Sequence, residues 1–211
     1  ALSEQEAAAQ QQYMDSARQL SKARRSAAKN LTQQVQKQLT ALSMKAAKLE
    51  AQLGECAPGA DGLEDVEFLF SANPGQPLKA LGKVASGGEL SRVSLAIQVI
   101  CARNLTVPSL VFDEVDVGVG GGVAEIVGRL LRELGSHAQV LCITHQPQVA
   151  SQGHQHWQVH KIQGDDTTHT RIQGLDDNAR IEELARMLGG VEITESTRTH
   201  AREMLSKAQA A

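Results

Sequence analysis

Ser109-Leu110-Val111-Phe112-Asp113-Glu114-Val115-Asp116-Val117-Gly118 is the stretch on which the reading of this chain turns. Leu110-Val111-Phe112 is a short, continuous apolar run, the pattern of a strand buried on both faces of a parallel sheet. Two adjacent carboxylates, Asp113 and Glu114, follow where the strand emerges. Ligands of open α/β sheets sit at that C-terminal edge. An aspartate there can hold a magnesium ion, usually through water, and the next carboxylate can orient and deprotonate a water that attacks a terminal phosphate. Neighbouring like charges cost energy unless a cation offsets them, which makes two merely solvated loop acids the poorer reading.

Toward the C-terminus, the spacing predicts a helix from about Gly122 to Leu134, ended by Gly135, and then a second apolar run, Val140-Leu141-Cys142-Ile143. Together these make a strand, helix, strand unit with parallel strands. Ile143-Thr144-His145-Gln146-Pro147 follows the second strand, so His145 falls on the same edge as the carboxylates, where it can donate a hydrogen bond to a phosphate oxygen. Asp116 joins the set from the loop, and the glycines at 118, 120, 121 and 122 predict a tightly bent backbone or a close approach to a partner. Trp157 to Ile162 and Thr168 to Ile172 read as a hairpin around Gly164-Asp165-Asp166, and helices over about 177 to 188 and 194 to 208 close the chain. His154, His156 and His160 alternate along a possible strand, but no second ligand cluster accompanies them, so they read as a solvated strand face.

Toward the N-terminus, Ala85-Ser86-Gly87-Gly88-Glu89-Leu90-Ser91-Arg92 opens a helix predicted to run from Ser86 to about Asn104, with Leu90, Val93, Ile97 and Ile100 on one face. Ser86 with Glu89 three residues on is a capping box. Gly87 and Gly88 also let an anion reach the free N–H groups of the first turn, where the helix dipole favours negative charge. Upstream, Val66 to Phe70 reads as a strand, Asn73-Pro74-Gly75-Gln76-Pro77 as a loop and Pro58 to Gly62 as a turn. Residues 1–53 contain no Gly or Pro and carry apolar residues at steps of three and four, from Tyr13 through Leu31, Val35, Leu39, Leu42, Ala46 and Leu49 to Leu53. That pattern predicts one long helix with a narrow coiled-coil seam, with a stutter between Leu31 and Leu39 and an end at Gly54.

The 211 residues are 41% hydrophobic and 21% charged with a net charge of -3, the composition of a globular chain. Eight basic against four acidic residues make the 1–53 arm basic on an otherwise acidic body, a charge distribution able to touch a phosphate backbone. The five aromatics are too dispersed to form a stacking surface for single-stranded nucleic acid. Cys56, Cys101 and Cys142 form no CxxC pair, which suits a reducing compartment. No apolar run approaches the roughly 20 residues a membrane span needs. A cytoplasmic chain without membrane contact is expected.

Ser86-Gly87-Gly88-Glu89 resembles the signature motif of ABC-type ATPases, Leu110 to Glu114 a Walker B strand with its catalytic glutamate, Asp116 the D-loop, and His145 the switch histidine, in the family's order. The phrases KVASGGELSR (83–92), LAIQVI (95–100), FDEVDVG (112–118) and THQPQVA (144–150), with NPGQP (73–77) and ELARMLGG (183–190), resemble a bacterial branch of SMC-like ATPases that acts in DNA repair. The resemblance implies an α/β fold, the C-terminal lobe of an ABC/SMC-type P-loop ATPase head, over 54–211, behind a returning coiled-coil helix at 1–53. It also implies ATP and Mg2+ as cofactors. Glu114 and His145 would be catalytic, Asp113 would hold the metal, and Ser86, Gly87, Gly88, Glu89 and Asp116 would face nucleotide. No GxxxxGK[ST] phosphate loop occurs in the sequence, so the resemblance places it in an N-terminal half of the same polypeptide. The further partners implied are a second head, engaged through ATP, and DNA at double-strand breaks in the bacterial nucleoid. Two other readings share the motifs. One is a transporter nucleotide-binding subunit, against which the long upstream helix and Glu89-Leu90-Ser91-Arg92 stand; the other is a non-catalytic structural fragment.

Overall fold

A computed structural model describes residues 2–83, 87–102, 107–163, 168–189 and 192–210. The chain divides into two compact units, Ala1–Ile100 and Cys101–Ala211. The first is built on α1 (Leu2–Ala41), an antiparallel sheet of β1 (Lys48–Gly59), β2 (Gly62–Ser71) and β3 (Lys79–Ala80) in that order, and α2 (Gly87–Cys101), whose last residue opens the second unit.

Helix α1 is shorter than the sequence predicts. It stops at Ala41, Ser43 takes a left-handed φ of 60°, and residues 48–59 turn back as a strand along β2. Gly54, expected to end the helix, lies inside β1 opposite Asp65. The physical reason is an ambiguity of period: Ala47, Leu49, Ala51 and Leu53 alternate with Lys48, Glu50 and Gln52, and in the fold the apolar set is buried or half-buried while the polar set is exposed. Steps of four fit a helix and steps of two fit a strand, and pairing with Val66 to Ser71 decides for the strand. The predicted strand at 66–70 and turn at 58–62 are both present, and the strand extends back to Gly62.

Side chains of α1 fasten it to this hairpin. The Tyr13 hydroxyl donates to the Gly59 and Gly62 carbonyls at 3.0 and 3.1 Å, and Arg24 Nη1 donates to the Asp61 carbonyl at 2.6 Å. Arg24 and Arg25 each stand 3.8 Å from the buried Glu64 carboxylate. Part of the basic arm is therefore neutralised by its own hairpin. In α2 the buried residues are Gly88, Val93, Leu95, Ala96 and Val99, whereas Leu90, Ile97 and Ile100 are half-buried. The predicted face is thus rotated, because apolar residues occupy nearly every side of this helix and its periodicity favours no one stripe. Ser86 and Asn104, the expected ends, lie outside the described residues.

The second unit holds β4 (Ser109–Phe112), α3 (Gly121–Leu134), β5 (Gln139–Cys142), the single turn α4 (Pro147–Ala150), β6 (Trp157–Gln163), β7 (Thr168–Gly174), α5 (Asp177–Gly189) and α6 (Glu195–Gln209). Strands β4 and β5 are parallel, joined through α3, which buries Ala124, Val127, Leu130, Leu131 and Leu134 along one stripe. Burial on both faces of these strands was the expectation and is not what the fold shows: Phe112 is buried, but Val111, Leu141 and Ile143 are 69%, 52% and 61% exposed. The pleat sends alternate side chains to opposite faces, and among the described residues one face is covered while the other is exposed. Strands β6 and β7 form the predicted antiparallel hairpin, its tip at 164–167 lying outside the described residues. Ala150, Leu184, Ala185, Ala201 and Leu205 form the core that joins α4, α5 and α6.

Helix α3 packs against the segment behind His145 at Gly128, where an added Cβ would stand 2.6 Å from Gln152 Cγ and 3.1 Å from Val149 Cα. The second contact is with backbone and has no rotamer by which to escape. Gly128→Val is expected to lower unfolding stability by about 1–3 kcal/mol in a denaturant titration; an unchanged midpoint would show that the two helices are not packed this closely.

Candidate active site

The parallel register sets Phe112 opposite Cys142, and the Ile143 amide donates to the Phe112 carbonyl at 2.9 Å. Residues 113–116 and 144–146 consequently leave the sheet at one edge, as the sequence predicts. Asp113 and Glu114 are exposed there, and the Glu114 amide donates to Asp113 Oδ1 at 3.0 Å. Glu114 has φ of 58°, in the left-handed region that a residue with a Cβ adopts at a cost of about 1–2 kcal/mol. Such strain persists where surrounding structure imposes it, and it concentrates at functional sites. Two overlapping turns follow it: Val117 N donates to the Glu114 carbonyl at 3.2 Å and Val119 N to the Asp116 carbonyl at 3.3 Å.

Asp116 differs from its two acidic neighbours. It is 1% exposed, and its Oδ2 accepts a hydrogen bond from the Thr144 hydroxyl at the end of β5. His145 is exposed, with Nδ1 4.0 Å from Asp116 Oδ1. Gln146 reaches back across the edge, its Nε2 donating to the Val119 carbonyl at 3.1 Å and standing 3.3 Å from His145 Nε2. The loop after β4 and the residues after β5 are therefore tied together twice, through Asp116 and through Val119. Among the described residues no group of three or more His, Cys, Asp or Glu is gathered into a metal cage; a Mg2+ site needs only one or two carboxylates when phosphate oxygens supply other ligands.

The glycine-rich helix start lies in the first unit, where Gly87 is exposed, Gly88 is buried and Glu89 sits in the first turn of α2. Ser86 is outside the described residues.

No protein-family model matches the chain. Curated bacterial proteins do. DNA repair protein RecN of Vibrio cholerae is 50% identical over 197 residues, which is 92% of this chain and 36% of that protein. RecN of Halalkalibacterium halodurans is 42% identical over 194 residues, covering 90% of this chain and 34% of its own length. The chain belongs to the RecN family. It spans 36% and 34% of the length of these two curated relatives. The transporter reading is not favoured beside them. Among solved structures, the Smc head domain with a coiled coil and joint from Pyrococcus yayanosii aligns with a TM-score of 0.52 at 19% identity, covering 73% of this chain and 28% of that one. The Smc head domain with an extended coiled coil from Pyrococcus furiosus, bound to the C-terminal domain of ScpA, aligns at 0.50 and 18% identity, covering 74% and 37%. These likenesses show the fold: the α/β lobe of an SMC-type head with a long helix before it.

Within this RecN segment, sequence reasoning placed Asp113, Glu114, Asp116 and His145 on one edge and assigned no role to Thr144 or Gln146. A hydroxyl and an amide flanking a histidine carry little signal until the partner loop is known. Nor does any pattern announce a left-handed glutamate. Cys142, at the end of β5, has its thiol pushed from an ordinary 9.0 up to about 12, first by burial and then by the Asp116 and Asp113 carboxylates. A raised thiol pKa contributes stability that is complete below the unfolded value and is lost as pH climbs toward the folded one. At about pH 9, alkylation of Cys142 is expected to be about a hundredfold or more slower in the folded chain than in denaturant; comparable rates would mean that the thiol is not buried beside these carboxylates.

Proposed function

We propose that this chain is the C-terminal portion of a RecN-type ATPase head that works in the repair of broken DNA, with its chemistry divided between polypeptide segments. The carrying observation is Glu114, held in a left-handed backbone conformation at the C-terminal edge of a parallel strand, directly after Asp113. Bound Mg-ATP would supply the phosphoric anhydride and the charge that its cleavage develops. The donor set suits it, because Asp113 offers a hard, exposed carboxylate at the strand end, the ligand Mg2+ prefers. Glu114, exposed at the strand end, would accept the proton of the attacking water. His145 would contact the terminal phosphate region from the neighbouring strand end, and Asp116 would hold its place beneath. Ser86, Gly87, Gly88 and Glu89 would present the N-terminus of α2 to nucleotide held by a second head. The phosphate-cradling loop would come from an N-terminal portion of the same polypeptide, and DNA ends would be the substrate that head engagement organises. Relatives named DNA repair protein RecN support this reading.

Hydrolysis by this chain alone is expected to be absent and to appear when an N-terminal portion of the parent polypeptide is added. In that mixture Glu114→Gln should leave nucleotide binding intact while lowering turnover by about two to four orders of magnitude, the scale of a lost general base. Undiminished turnover would remove Glu114 from the chemistry, and activity from the chain alone would refute the division of the site.

A further inference from the structure

The buried carboxylate beneath the candidate site has a more specific task than facing nucleotide. Asp116 is nearly inaccessible, with Oδ2 occupied by the Thr144 hydroxyl and Oδ1 directed toward His145 Nδ1 at 4.0 Å. A buried carboxylate has to be met by donors. Thr144 has one hydroxyl proton, and its oxygen also accepts from the Gln146 amide at 3.0 Å. The Gln146 carbonyl, 3.5 Å from Thr144 Oγ1, is the poorer acceptor for that proton. The hydroxyl therefore points at Asp116.

The imidazole is read from its other side. Gln146 Nε2 donates to the Val119 carbonyl, which can only accept, so the amide nitrogen rather than the amide oxygen is the atom on that side. The same nitrogen stands 3.3 Å from His145 Nε2. Two N–H groups cannot bond to each other; in the neutral ring Nε2 must be the bare acceptor, and the proton sits on Nδ1, the nitrogen that faces Asp116. The assignment follows from the neighbours' fixed polarity.

We propose that Asp116 is a positioning residue that fixes His145 as the Nδ1–H tautomer, through its own carboxylate and the Thr144 hydroxyl, and so presents Nε2 to the reaction as a hydrogen-bond acceptor. This rests on the reading of His145 under the proposed function and changes its chemistry: a neutral His145 accepts a hydrogen bond from a water or hydroxyl, and it donates to a phosphate oxygen only when doubly protonated. It also explains why the loop after β4 carries a third acid that solvent does not reach.

The test is the tautomer itself, read from the ring ¹⁵N shifts of histidine-labelled 211-residue chain at a pH where the ring is neutral, with the resonance assigned by loss in His145→Gln. The wild-type spectrum needs no destabilising variant. It is expected to show Nδ1 protonated, and Asp116→Asn, whose amide can donate to Nδ1, is expected to shift the ring toward Nε2–H. A wild-type ring protonated on Nε2, or a tautomer indifferent to Asp116→Asn, overturns the proposal. In the mixture with the N-terminal portion, Asp116→Asn should lower kcat about tenfold or more with KM for nucleotide unchanged, as expected when a ring is held in the wrong tautomer. A tautomer that shifts while hydrolysis ignores both Asp116→Asn and His145→Ala would retain the positioning role of Asp116 and instead refute the reading of His145.

Discussion

The bond between the Thr144 hydroxyl and the buried Asp116 carboxylate is the interaction on which the candidate site depends. It joins the loop that follows β4 to the residues that follow β5, the two segments that carry the candidate residues Asp113, Glu114, Asp116 and His145. Burying a carboxylate is costly unless donors meet it, so the bond imposes a geometry rather than merely adding to stability. Gln146 adds a second tie through the Val119 carbonyl, and the loop held by these two ties begins next to Glu114, which is exposed and keeps a left-handed φ of 58°.

Much of this was legible in the sequence, and the failures have identifiable causes. The strand, helix, strand unit could be read because α3 has one clear apolar stripe between two short apolar runs. The shared edge of the candidate residues followed from the parallel topology, which puts both strand ends together. The helix expected over 42–53 failed because Leu42, Ala46, Leu49 and Leu53 fit a step near four, while Ala47, Leu49, Ala51 and Leu53 fit a step of two. Local pattern could not choose; pairing with β2 did. Helix α2 misled differently, since a segment apolar on nearly all sides has no preferred face to read.

The exposure of Val111, Leu141 and Ile143 belongs to the same account. Their run of apolar residues predicts a strand covered twice, and the second unit covers it once. The two curated relatives, each roughly two and a half times the length of this chain, match it over 92% and 90% of its residues. The basic arm shows the converse, a surface already partly satisfied. Arg24 and Arg25 meet Glu64 on the hairpin beneath them, so net charge alone overstates what α1 has left for a phosphate backbone.

The most direct test of the central constraint is a double-mutant cycle on Asp116→Asn and Thr144→Val, measured by equilibrium unfolding of the 211-residue chain. The account predicts a coupling of about 1.5–3 kcal/mol, the range for a hydrogen bond to a charged group. Additive effects would contradict it, since they would mean that Asp116 and Thr144 do not hold each other in place.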